Sequence, residues 1–328
     1  MSMHLSIGLT TSISSRRMKW IYENADNLGL HGLWIGEDIG RPQEIFTSTA
    51  LLLLNTKNVN VGIGVTSPLI RNITTIARAS STLSEMAPNR FRLGLGVGGI
   101  QDLSSLGISI KKPVHSMERT VKILREIWIN QGNPIKNDEL KIHNYNMKYR
   151  SKQIPIFFGV RGPKLMTLAA AISDGVILSG PREFVENSIK LIKNKQKFLN
   201  ISSEKFHFTL WVPTILIRKK EDIEIVKKTV AIVALDTPDN ILEMSGINKR
   251  EISLIRSEMK NHGIQKVAEN IHNQIIDSLC ISGDADEICD KFESYSSLGI
   301  QEVVFGPPYG KDARESMTQI AQTWSKKL

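Results

Sequence analysis

Gly94, Gly96 and Gly99 stand as G-x-G-x-x-G behind an apolar run, and Glu118 follows nineteen residues later. Glycines so spaced let a pyrophosphate approach the backbone at a helix start, and the carboxylate can then meet a ribose hydroxyl. A second group, Gly159-Val160-Arg161-Gly162, precedes Pro163, a residue suited to the first helical position. Free N–H groups at a helix start, a glycine loop and an arginine can cradle a phosphate; a plain strand-to-helix turn uses the same residues. Glu37 and Asp38 are adjacent carboxylates behind the run Gly32–Gly36. A carboxylate pair within ~4–6 Å pushes one pKa upward, as a proton donor requires; solvated loop carboxylates are the alternative.

Other chemistries find little support. Cys280 and Cys289 lie nine apart, and the seven histidines are dispersed with no H-x-x-x-H or Cys/His pairing. No metal site is expected, and the cysteine usage fits a reduced, cytoplasmic setting. Lys and Arg exceed Asp and Glu, 42 against 33, for a formal charge of +9. No run of five or six like charges occurs. The pairs Lys219-Lys220 and Lys227-Lys228 fall on helical stretches and read as solvated faces, not as a nucleic-acid patch. A basic field also suits an anionic small-molecule substrate. The longest apolar run, Ala50 to Leu54, is far too short for a bilayer, and the first residues lack the apolar core of a signal peptide. No membrane partner is expected.

The elements that must position these residues alternate along the chain. Strands are predicted at 3–9, 32–36, 59–65, 92–97, 154–160, 174–180, 206–217 and 301–306, with amphipathic helices between them. Eight such units without a polar linker predict one domain over residues 1–328. The fold is α/β, a (β/α)8 TIM barrel with a helical insertion of about 220–275 between strands seven and eight. The opening glycines then follow a fourth strand, and Glu118 lies inside a helix expected to begin near His115. A dinucleotide fingerprint opens its own domain instead. The dinucleotide reading fails on context.

Barrel sites lie at the carboxyl ends of the strands. Three neighbouring ends carry glycines here: Gly62 and Gly64, then Gly94, Gly96, Gly98 and Gly99, then Gly159 and Gly162. Glycine weakens a strand interior. Either a flat ligand lies against these backbones, or the glycines relieve crowding at barrel corners.

The stretches VGIGVTSP (61–68), RFRLGLGVGG (90–99), LGISIKKPVHSMERTVKILREIW (106–128), IPIFFGVRGPKLMTLAAAISDGVILS (154–179) and LGIQEVVFGPPYGKD (298–312) fall in a familiar order and spacing. The chain resembles the luciferase-like flavin and deazaflavin oxidoreductases, and most of all the methylenetetrahydromethanopterin reductases. That resemblance implies coenzyme F420, an 8-hydroxy-5-deazaflavin, across the top of the barrel. Its contacts would be Gly64, Val65, Thr66, Gly96, Val97 and Gly98, with the phosphate on Gly159, Val160, Arg161 and Gly162. It also implies a non-prolyl cis peptide at Gly64-Val65 behind the ring, and an insertion that shapes the pocket mouth. The implied reaction is hydride transfer between reduced deazaflavin and a pterin-bound one-carbon unit, in a homodimer or homotetramer. An FMN-dependent luciferase-like monooxygenase is the alternative, and a non-catalytic flavin-binding barrel a third reading. Three positions depart from the reductases. Gly8 replaces a strand-one Glu, Glu37-Asp38 replaces Asp-His, and Gly99 replaces an Asp. If an acid is needed, Glu37 and Asp38 are the expected catalytic residues.

Overall fold

Runs of Ile, Leu, Val and Phe form short strands buried on both faces, as parallel strands must be when helices cover them. The computed structural model describes residues 3–109, 111–129, 133–138, 142–147 and 153–327. In chain order the strands are β1 His4–Thr10, β2 Gly32–Gly36, β3 Asn60–Ile63, β4 Phe91–Leu95, β5 Ile135–Asn137, β6 Ile142–Tyr145, β7 Ile156–Gly159, β8 Gly175–Leu178, β9 His207–Leu216, β10 Ile281–Gly283 and β11 Glu302–Tyr309. Strands β1, β2, β3, β4, β7, β8, β9 and β11 pair in parallel in that order, and β11 returns to β1. The expected closed eight-stranded barrel is present. Strand β10 pairs in parallel with the end of β9, from Thr214 to Leu216.

Side-chain alternation divides the core. On β2, Leu33 and Ile35 face the helices in the main apolar cluster. Trp34 points inward, where it meets Phe157, Ile177 and Val304, with Val65 and Trp211 packed alongside. Bulky rings inside a barrel need empty places beside them, and Gly62 supplies one: a Cβ there would overlap the Trp34 ring. A Cβ on Gly94 would overlap the carbonyl of Ile63. These two glycines serve packing.

Three features depart from expectation. Strands β5 and β6 form a separate antiparallel pair, and β10 is a three-residue strand; neither was expected. A short helix, Ile100–Ser105, opens directly behind Gly99, and the next begins at Pro113. A helix does therefore follow the G-x-G-x-x-G run, but it belongs to the fourth barrel strand, so the dinucleotide reading still fails. The insertion consists of helices Lys220–Asp236, Asp239–Met244, Lys249–Asn270 and Asn273–Leu279. Its apolar faces close on a cluster of their own that includes Val226, Val230, Leu242 and Val267.

A polar network closes the amino-terminal end of the barrel. Glu302, fully buried, accepts hydrogen bonds from Ser6 Oγ (2.5 Å), Trp34 Nε1 (2.8 Å) and Arg92 Nη1 (2.8 Å), and lies 3.1 Å from His207 Nε2. Burial raises the carboxyl pKa. The His207 hydrogen bond and the charges of Arg92, His207 and His31 outweigh that and hold it well below the carboxylate range. Burial pulls His31 down to about 4, against the opposing pull of Glu302. Both shifts have one sign. A depressed carboxyl favours the fold above its unfolded pKa, and a depressed imidazole makes the unfolded chain bind more protons from about pH 6.5 down to 4. Unfolding free energy is therefore expected to fall as pH drops through that window. Urea denaturation at several pH values measures it, with a shallower slope in His31→Gln; a flat wild-type profile contradicts the assignment.

Candidate active site

At the opposite end, the carboxyl ends of the strands surround an open cavity of about 1070 Å³, at the upper end of the usual size for small-molecule sites. Glycine backbone forms much of its wall: Gly36, Gly64, Gly96, Gly98, Gly99, Gly159 and Gly162 all line it, as do Val65, Thr66, Val97, Val160 and Arg161. The glycines left open by the sequence now separate. Gly62 and Gly94 only make room for protein atoms and do not line the cavity, whereas Gly64, Gly96, Gly98, Gly99, Gly159 and Gly162 present backbone to it.

The Gly64–Val65 peptide is cis, at the position the resemblance implied. The Val65 side chain stands between β4 and β7. Its methyls lie 2.6 Å from the place a Cβ would take on Gly96 and 3.0 Å from that on Gly159. Without those two glycines Val65 could not occupy the cavity floor. Gly98, at φ 97°, holds a conformation suited to glycine. At Gly162, the N-cap of helix Pro163–Ile172, no side chain caps the helix start. No atom lies within 4 Å of where its Cβ would be. The first-turn amides there lack intrahelical partners, which suits an anion.

The structure separates the two expected acids. Glu37 lines the cavity, but its oxygens are engaged. It accepts from Thr66 Oγ1 at 2.6 Å and from Arg71 Nη1 at 2.8 Å, and its other oxygen pairs with Arg71 Nη2. Asp38 lies outside the cavity lining. Its carboxylate accepts from the Gly40 amide at 3.1 Å and from Arg41 Nε at 3.2 Å.

The insertion supplies the mouth. Leu235, Asp236, Thr237, Pro238 and Asp239 line the cavity from the turn between its first two helices, with Arg256 from its third. Arg161 Nη1 donates to the Asp236 carbonyl (2.6 Å) and carboxylate (2.9 Å), which ties the fifth barrel loop to the insertion. Arg256 pairs with Asp239 and donates to the Thr237 carbonyl at 3.3 Å.

Among the cavity residues not read from the sequence are Trp211, Asp102, Asp236 and Arg256. Trp211 explains one departure. Its ring carbons lie 2.8 and 2.9 Å from where a Cβ on Gly8 would sit, so an aromatic ring from β9 fills the strand-one position. Asp102 bears on another, since its Oδ2 lies 3.0 Å from the Cβ place of Gly99. Only its place three residues behind a glycine run hinted at Asp102.

Among the described residues, no group of three or more His, Cys, Asp or Glu is placed to hold a metal ion, and no helix is long and apolar enough to cross a membrane. Both cysteines are buried, with thiols pushed up to about 12 by burial, far from reactive thiolates.

Known proteins resemble the chain in family, in sequence and in structure. The family model described as luciferase-like monooxygenase matches residues 2–302. The chain is 24% identical to a 5,10-methylenetetrahydromethanopterin reductase of Archaeoglobus fulgidus, over 99% of this chain and 100% of that one. It is 22% identical to an F420-dependent glucose-6-phosphate dehydrogenase of Gordonia bronchialis, over 83% and 79% of the two chains. In structure it is similar to the coenzyme F420-dependent tetrahydromethanopterin reductase of Methanopyrus kandleri, with a TM-score of 0.89, 20% identity and coverage of 100% and 99%.

Proposed function

The chain belongs to the luciferase-like monooxygenase family, and on that premise we propose that it is a coenzyme F420-dependent oxidoreductase acting on a pterin-bound one-carbon unit. The observation that carries this reading is the cavity wall. Glycine backbone from successive strand ends leaves a broad face for a flat ring, and the Gly162 helix start leaves open space for an anionic tail. These residues fit a deazaflavin. The reductases among its relatives supply the substrate class.

When bound, the deazaflavin supplies or accepts a hydride. The chain's own residues do the rest. The Gly64–Val65 peptide and the Val65 side chain would lie against the ring and keep water from it. Thr66, Glu37 and Arg71 form a hydrogen-bonded brace that fixes the end of β3 against the cavity wall. The amides behind Gly162 and the guanidinium of Arg161, held by Asp236, would be the groups that hold the phosphate. We assign the cofactor contacts accordingly to Gly64, Val65, Thr66, Gly96, Val97, Gly98 and the Gly159–Gly162 loop.

Arg161→Glu removes a charge-assisted contact worth about 1.5–3 kcal/mol, so the F420 dissociation constant is expected to rise at least about tenfold. An unchanged spectroscopic titration removes this loop from the site. The reaction is tested by mixing protein, reduced F420 and methylenetetrahydromethanopterin without oxygen. Return of the oxidised deazaflavin absorbance with formation of the methyl pterin supports the proposal; F420 binding without this reaction refutes the substrate half.

A further inference from the structure

We infer that Asp102 is the proton donor of this cavity, placed to protonate a ring nitrogen of the substrate as the carbon beside it is reduced. The inference rests on the functional reading above and adds the residue that supplies the proton. Asp102 lines the cavity beside Gly98 and Gly99. Its carboxyl folds back over Gly99, with Oδ2 at 3.0 Å and Cγ at 3.6 Å from the place a Cβ would take there. The absence of a side chain at 99 lets an acid from the next turn lie against the cavity edge.

The other carboxylates near the cavity are already engaged. Glu37 is held by Thr66 and Arg71, Asp38 by Arg41 and the Gly40 amide, Asp236 by Arg161 and Asp239 by Arg256. Among the described residues, none donates a hydrogen bond to the Asp102 carboxylate, and no cation pairs with it. Its charged neighbours are carboxylates: Asp38 from the loop after β2 and Asp236 from the end of helix Lys220–Asp236. Burial first, then these two like charges, raise the Asp102 pKa. The cations Arg41 and Arg161 bind those neighbours, not Asp102 itself.

The methylene carbon bridges two pterin nitrogens. The Asp102 O–H bond breaks, the proton goes to one bridge nitrogen, and the C–N bond to that nitrogen breaks with its electron pair left there. The carbon, now double-bonded to the other nitrogen, takes a hydride from reduced deazaflavin and becomes a methyl group. Two electrons pass from deazaflavin to carbon, the deazaflavin would release its remaining ring N–H proton to solvent, and solvent returns a proton to Asp102.

Asp102→Asn and Asp102→Glu test this by two readouts. The first is infrared titration of the carboxyl in the protein without ligands. A carboxyl titrating above the unperturbed Asp value is expected in wild type, absent in Asp102→Asn and displaced downward in Asp236→Asn. The second is the pH profile of hydride transfer. General acid catalysis contributes about 10²–10⁴-fold. Asp102→Asn should lose rate by that order while F420 affinity and substrate KM hold within about threefold of wild type. The wild-type rate should fall as pH rises through the Asp102 pKa, a limb that Asp102→Asn lacks and Asp102→Glu restores. An ordinary carboxyl titration, or an Asp102→Asn variant with wild-type rate and profile, overturns the inference. No wild-type turnover with F420 bound refutes the functional reading and this inference together. Wild-type turnover indifferent to Asp102 refutes the inference alone.

Discussion

Glu302→Gln is expected to lower the unfolding free energy by about 3–5 kcal/mol, the usual cost of removing one partner from a buried ion pair. The carboxylate has no contact with solvent and satisfies Ser6, Trp34, Arg92 and His207 at once. A glutamine of nearly the same shape offers one oxygen and turns an NH₂ group toward donors, so Arg92 loses its counter-charge with only a small share of its side chain in water. Urea denaturation near neutral pH reads the loss directly. A change below about 1 kcal/mol would show that the network is ornamental. Because the cluster lies at the amino-terminal end of the strands, the protein that remains folded should still bind cofactor at wild-type affinity.

Gly162→Leu is expected to weaken F420 binding by about a hundredfold or more, which is about 2.7 kcal/mol, and to leave the barrel folded. A Cβ there meets no protein atom within 4 Å, and a leucine side chain extends from it into the space assigned to the cofactor. Its backbone conformation, φ −105° and ψ 146°, is open to any residue. Gly64 is a poorer probe of the same claim. A Cβ there would stand 3.0 Å from Trp211 and 3.2 Å from Trp34, so valine would press on the barrel interior and mix a packing defect with lost binding. Circular dichroism and a cofactor titration on Gly162→Leu separate the two effects. Full-affinity binding by a folded variant would place the cofactor elsewhere.

The barrel was legible because its strands are runs of apolar residues at regular intervals, and β2 lay where periodicity put it, at Gly32–Gly36. Strands β5, β6 and β10 were not legible. Three or four residues carry too little alternation to stand out, and β5 and β6 hold only one well-buried residue each, Ile135 and Ile142. The glycines show a different limit. Gly62 and Gly96 look alike in sequence, yet one makes room for Trp34 and the other for Val65 at the cavity floor. The residue that decides comes from another strand or loop. The same holds for the acids. Glu37 looked available until Arg71, thirty-four residues on, closed upon it. Asp102 became a candidate only when the fold laid it against Gly99 at the cavity edge. Trp211 reaches Gly8 across the barrel, a contact no spacing could announce.

A side-by-side spectroscopic titration of the purified protein with F420 and with FMN tests the central claim most directly, since the cavity wall is assigned to a deazaflavin with its phosphate at the Gly159–Gly162 loop. F420 is expected to bind with 1:1 stoichiometry and at least about a hundredfold tighter than FMN, a difference of about 2.7 kcal/mol, and Gly162→Leu should abolish the preference. Tighter binding of FMN, or no binding of either, would contradict the account.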